Sequence, residues 1–183
     1  MRLFTGLDVP GEVEARLDRL LHELRPAADI HWSPITNLHI TTKFIGEWPE
    51  DRLPELIAKL RDAVPKPGVL QISVRGVGWF PNPHQPRVLF AAIQAPQGLV
   101  DLAGTTDAAT AELGVPVEER RYSPHLTLAR IKGASPLALL RQAIARQESL
   151  DFGTFDATSF YLYKSEPGPR GSVYTKLSEF PLA

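Results

Sequence analysis

His39-Ile40-Thr41-Thr42-Lys43-Phe44-Ile45 and His125-Leu126-Thr127-Leu128-Ala129-Arg130-Ile131 are two versions of one phrase, 86 residues apart. Each opens on a histidine, follows it with an aliphatic residue and a threonine, and reaches isoleucine six places later. Both sit in apolar, β-branched runs, the composition of a half-buried strand. Side chains alternate between the faces of a strand, so His39 shares a face with Thr41, and His125 with Thr127. If the two strands meet, two imidazole–hydroxyl pairs point into one space.

The surrounding sequence repeats as well. Leu3 to Leu7 reads as a strand closed by Asp8-Val9-Pro10, and Val13, Leu17, Leu20, Leu21 and Leu24 give a helix stripe over 11–25. The first phrase forms a strand at about 37–45. Leu53, Leu56, Ile57, Leu60 and Val64 mark a second helix, and Leu70, Ile72 and Val74 alternate with polar residues in a strand over 70–79. After the proline-rich turn at 81–86 the order begins again. Leu89-Phe90 answers Leu3-Phe4, and Pro96 answers Pro10, again 86 residues on. A helix is expected over 97–113 with Gly114 as its stop. Ser135-Pro136 offers an N-cap and first helical position ahead of Leu137, Leu140 and Ile144. Phe155 to Tyr163 alternates as 70–79 does, 166–171 is a second turn, and Val173 to Phe180 closes the chain.

A unit of about 85 residues, strand–helix–strand–helix–strand, therefore occurs twice, too few times for a solenoid. The expected fold is α+β: two similar lobes about a pseudo-two-fold, each an antiparallel-type sheet backed by helices, with a site in the cleft between them. The whole of 1–183 reads as one bilobal domain, with repeats at about 1–80 and 87–165 and a closing strand at about 172–181.

Composition narrows the function. There are no cysteines, which excludes disulfides, thiolate nucleophiles and cysteine-ligated zinc. A net charge of −1 argues against a broad phosphate-tracking surface but leaves room for a local basic cluster. No apolar run approaches the ~20 residues of a membrane span, and an acid at Asp8 comes too early for a signal peptide. A cytoplasmic monomer is the expectation.

Neither histidine has a serine nucleophile beside it, so no triad is indicated. Neither phrase carries a carboxylate at ligand spacing; Glu47 and Asp51 fall outside it, and no metal or cofactor is called for. Two imidazoles with an ordinary pKa of about 6.5 suit a general acid and a general base. The threonine hydroxyls can bond the non-bridging oxygens of a phosphate. A base on one side, an acid on the other and donors between them describe in-line displacement at a phosphodiester. Residue type alone leaves open which histidine plays which part.

Asn37-Leu38-His39-Ile40-Thr41-Thr42-Lys43-Phe44-Ile45-Gly46 and Ser123-Pro124-His125-Leu126-Thr127-Leu128-Ala129-Arg130 closely resemble the paired signatures of the two-histidine phosphoesterases. Within them, Arg2-Leu3-Phe4 and Gly171-Ser172-Val173-Tyr174 resemble the RNA 2′,3′-cyclic phosphodiesterases, historically called LigT-like 2′-5′ RNA ligases. The resemblance implies opening of a 2′,3′-cyclic phosphate on an RNA end or nucleotide to a 2′-phosphate, with weak reverse ligation. It implies His39 as proton donor, His125 as proton acceptor, and Thr41, Thr127 and Arg130 as phosphate ligands. Thr42 departs from the family's usual leucine; on the face away from His39, it is expected to alter packing only. Readings that stay open beside this one are a noncatalytic RNA-end binding module and a related phosphodiesterase acting on ADP-ribose cyclic phosphate or 2′-5′ oligonucleotides.

Strict alternation from His125 puts Arg130 on the wrong face. Unless it works from the rim, the strand must end or bulge between Leu128 and Arg130. A bulge would also bring Phe44, its partner in the repeat, into the cleft as a surface for base stacking. His31 and His84 lie in connections that can reach the cleft mouth; His22 is off its helix stripe. Lys164 and Arg170 read as a solvated turn, and Trp79-Phe80 suits lobe packing or stacking.

Overall fold

The computed structural model describes residues 1–183. The first half runs β1 (Arg2–Asp8), α1 (Gly11–Leu24), the two-residue β2 (His31–Trp32), β3 (His39–Glu47), α2 (Leu53–Ala63) and β4 (Leu70–Phe80). The second runs β5 (Val88–Gln94), α3 (Gln97–Ala111), β6 (His125–Arg130), α4 (Ala138–Ala145), β7 (Asp151–Ala157), β8 (Ser159–Gly168) and β9 (Gly171–Pro181). The expected α1 stripe is buried in full: Val13, Leu17, Leu20, Leu21 and Leu24. The prolines at 10 and 96 each stand immediately before a helix, where a missing N–H costs no intrahelical bond.

Two antiparallel sheets result, in the orders β3-β1-β8-β9 and β2-β6-β5-β4-β7. The α+β, two-lobed arrangement is the one expected, but the lobes are not the two halves of the chain. β4, the last strand of the first repeat, pairs with β5 of the second, and β8 of the second repeat pairs with β1 of the first. Helices exchange too: α1 packs on β7 and α4, whereas α2 and α3 cover β9 and β3. Each lobe is thus built from both repeats. One continuous core runs through both, from Leu3 and Ile40 in the first sheet to Leu89, Leu126 and Leu128 in the second. No helix is long and apolar enough to cross a membrane.

Three local expectations need correction. The alternating stretch 155–163 is broken at Thr158 into β7 and β8, which join different sheets. Alternation specifies a strand but not its neighbour. Helix α4 starts at Ala138 with Leu137 before it, so Ser135-Pro136 lies in the connection and caps nothing. Finally, the first strands do not superpose at 86. Phe4 lies opposite Phe44 while Val88 lies opposite Arg130, so β1 and β5 correspond at an offset of 84. Leu89-Phe90 echoes Leu3-Phe4 in letters and not in register.

Candidate active site

β3 and β6 each begin at the histidine of their phrase and approach each other between the lobes. Their burial patterns over six residues are identical: half-buried, buried, half-buried, buried, buried, exposed. The doubled buried step is a bulge. Lys43 and Thr41 pair with consecutive residues of β1, leaving Thr42 extra; Ala129 and Thr127 pair with consecutive residues of β5, leaving Leu128 extra. The extra residue reverses the alternation downstream. Phe44 and Arg130 therefore return to the same face as the histidines, and the condition posed by the sequence is met in both copies.

The result is a cleft of about 630 Å³ lined by His39, Thr41, Phe44, His125, Thr127 and Arg130 together. Around them stand Arg2, Phe4, Asn37, Ser165, Ser172 and Tyr174 on one side and His31, Trp32, Ser33 and Lys132 on the other. No aspartate or glutamate lines it, and no cluster of three histidine or acid side chains with metal-ligating geometry occurs in the chain. A space with cations, hydroxyls and imidazoles and no acid favours an anion.

The histidines are held alike. Nδ1 of His39 lies 2.7 Å from the Asn37 carbonyl, and Nδ1 of His125 lies 2.8 Å from the Ser123 carbonyl. A carbonyl only accepts, so each Nδ1 carries the hydrogen and each Nε2 is left for chemistry. The carbonyls of the two threonines are clamped by crossed contacts. The Tyr122 hydroxyl, just before β6, donates to the Thr41 carbonyl at 2.7 Å; the Ser33 hydroxyl, just after β2, donates to the Thr127 carbonyl at 2.8 Å.

Their surroundings differ. Nε2 of His39 is 2.9 Å from the Thr41 hydroxyl, and its ring stacks on Phe4 at 4.5 Å with Tyr174 edge-on at 5.1 Å. Burial lowers the His39 pKa from its ordinary value; the bond to the Asn37 carbonyl raises it, the positive fields of His125 and Arg130 lower it, and Asp8 raises it. His125 meets Phe80 and Phe90 edge-on at 5.2 and 5.8 Å. Gly78 makes room for that packing, since a Cβ there would fall 2.5 Å from the Phe90 ring.

This duplicated frame has known relatives. The family described as LigT like Phosphoesterase matches residues 7–90 and 92–174. The chain belongs to the LigT-like phosphoesterases. A protein of Thermus thermophilus named RNA 2′,3′-cyclic phosphodiesterase is 35% identical, over 100% of this chain and 90% of its own length. One of the same name from Methanothermobacter thermautotrophicus is 31% identical over 100% and 99%. A crystal structure from Thermus thermophilus superposes with a TM-score of 0.83 at 34% identity, covering 100% of this chain and 98% of that one. E. coli LigT complexed with 3′-AMP shares the fold, with a TM-score of 0.78 at 22% identity, over 98% and 97%.

In this LigT-like phosphoesterase several residues escape a reading by sequence. Asn37 and Ser123 hold the histidines through backbone carbonyls, which any residue supplies. Tyr122 reaches Thr41 in the other lobe, and Ser33 reaches Thr127 through the pairing of β2 with β6; the sequence reveals neither neighbourhood. Lys132 stands two residues past Arg130 and could have been found by continuing the bulged phase. Of the loop candidates, His31 lines the cleft and His84 does not. Lys164 pairs with Glu166, and Arg141 covers Trp79. Thr42 is buried behind the strand, where its hydroxyl bonds that of Thr5 at 2.7 Å.

Proposed function

We propose that the protein opens 2′,3′-cyclic phosphates at RNA ends or on nucleotides, leaving a 2′-phosphate, with His39 as acid and His125 as base. The observation that carries the reading is the pair of Nδ1-anchored histidines on twin bulged strands in one acid-free cleft. Water attacks phosphorus as its proton passes to Nε2 of one histidine. The P–O3′ bond breaks as the 3′ oxygen takes the proton on Nε2 of the other, and the negative charge stays on the phosphate oxygens. Thr41, Thr127 and Arg130 bind those oxygens where charge gathers, which is worth most in a dry cleft. Phe44, almost half exposed, offers a face to a base. A 5′ hydroxyl in place of water, attacking phosphorus as the same P–O3′ bond breaks, would instead leave a 2′-5′ linkage. One chain supplies every residue invoked, which is why we infer a monomer, acting in the cytoplasm.

The names borne by relatives across archaea and bacteria support this substrate class. The test is turnover of an RNA oligonucleotide ending in a 2′,3′-cyclic phosphate, read by phosphorus NMR with and without added metal. His39→Ala and His125→Ala should each lose at least ~10² in rate while remaining folded. No turnover by the unaltered protein, or full activity in either variant, overturns the reading. A 3′-phosphate product would reverse which P–O bond breaks.

A further inference from the structure

We infer that Arg2 and Lys132 form a second anion subsite in the cleft, one that takes the phosphate on the 5′ side of the terminal nucleotide. The cleft would thereby select polynucleotide ends over free cyclic nucleosides. This rests on the phosphodiesterase reading above, and it adds the length of substrate that the site is built for.

Charge is the first argument. A 2′,3′-cyclic phosphate carries one negative charge, and the two histidines, two threonines and Arg130 already meet it. Arg2 and Lys132 line the same cleft, and neither they nor Arg130 takes part in any ion pair. Lys164 and Lys176, on the strands of the lobe that carries Arg2, are both paired with acids. Glu47 lies opposite Arg2 in the β1–β3 ladder but pairs with the Met1 ammonium at 3.5 Å, so two further unpaired cations remain in the cleft, more than a single charge requires and enough for a second phosphate.

Position is the second. From Thr41, β3 runs on for three residues, one step taken up by the bulge, to Phe44. At ~3.3 Å per residue that is roughly 7–10 Å along the cleft, one nucleotide away from the reacting phosphorus. Arg2 stands there, its guanidinium 5.1 Å from the centre of the Phe44 ring, and the aromatic face holds the cation without neutralising it. Lys132 extends the other wall just beyond Arg130.

Three substrates test this: a nucleoside 2′,3′-cyclic phosphate, the same nucleoside with a 5′-phosphate added, and a dinucleotide with a 2′,3′-cyclic end. The expected result is a gain in kcat/KM of about ten-fold or more on adding the 5′-phosphate, with the dinucleotide no worse. Arg2→Gln and Lys132→Ala should each shrink that ratio, and the gain should fall as salt rises, with a slope near −0.7 per phosphate contact. Equal kcat/KM for the first two substrates overturns the subsite, as does a variant that slows both in proportion. Absence of turnover on all three would instead remove the phosphodiesterase reading itself.

Discussion

The strand that starts at His39 and the strand that starts at His125 have the same backbone and different company. Both bulge one residue after the threonine, and both tie Nδ1 to the carbonyl two residues earlier. Behind β6 the doubled buried step is apolar, Leu128 and Ala129 against Leu89. Behind β3 it is polar: Thr42 bonds Thr5, and Lys43, 1% exposed, bonds Asp107 at 2.7 Å and the Pro116 carbonyl at 2.8 Å. In front, His39 is stacked and bonded to Thr41, whereas His125 meets only ring edges and has its Nε2 free. Duplication supplied one geometry twice, and burial and charge then distinguish the copies. Acid and base roles are set by such differences in environment, not by the identity of the residue.

The polar backing is the difference whose removal should cost most. Asp107→Ala leaves the Lys43 ammonium buried with one good partner, since Glu118 stands off at 3.4 Å. Leaving a buried charge short of its counterion should cost about 2–3 kcal/mol, less than a fully buried pair because Asp107 is itself partly exposed. Urea unfolding would read it. The combination Lys43→Met and Asp107→Leu makes β3 resemble β6 and should recover most of the loss. A double variant as unstable as the single would mean that the ion pair positions β3 in a way apolar packing cannot.

The crossed clamps offer a smaller contrast. Tyr122→Phe removes the only side-chain donor to the Thr41 carbonyl, a loss of about 1 kcal/mol. If that freedom reaches the hydroxyl, kcat should fall about five-fold with KM little changed. Ser33→Ala should do less. Its backbone N–H still holds the Leu128 carbonyl at 2.9 Å, so β6 keeps a second anchor next to its threonine. Equal losses from the two variants would show that the side-chain bond alone fixes each strand.

Much of this was legible in the residues. Apolar periodicity gave the elements, and the repeated His-x-Thr phrase pointed to residues that line one cleft, because a match in both halves carries far more than either alone. Arg130 even signalled the bulge, because the resemblance implies a phosphate ligand at a position that a regular strand would turn to the wrong face. The exchange of β4 and β8 between lobes was not legible. Alternation reports which face of a strand is buried and nothing about which strand lies beside it. The slip from 86 to 84 in β1 and β5 escaped for a related reason: identical letters at Leu3-Phe4 and Leu89-Phe90 marked similar composition, while hydrogen-bond register set the true correspondence. Lys43 read as one more strand residue, since its partners Asp107 and Glu118 lie on a helix and a connection more than 60 residues on.

The asymmetry between the histidines also predicts where the pH limbs fall. In the free protein His39 has a lowered pKa because burial disfavours the imidazolium and because His125 and Arg130 face it, with Asp8 and the Asn37 carbonyl opposing. A phosphodiester anion beside it acts in the other direction and favours the charged form. The acid must be protonated to act, so its titration sets the alkaline limb. kcat/KM reports the free enzyme and kcat the complex. With His39 as acid, the alkaline limb of kcat/KM should lie below the ordinary histidine value of about 6.5, and that of kcat should lie higher. The same lowering makes the folded state bind protons less readily than the unfolded one, so stability falls as pH drops from about 6.5 through the His39 pKa, and a bound phosphate should reduce that fall. If the acid limb moves on binding instead, His39 is the base, and the assignment taken from the family must be exchanged between two strands that the backbone alone cannot tell apart.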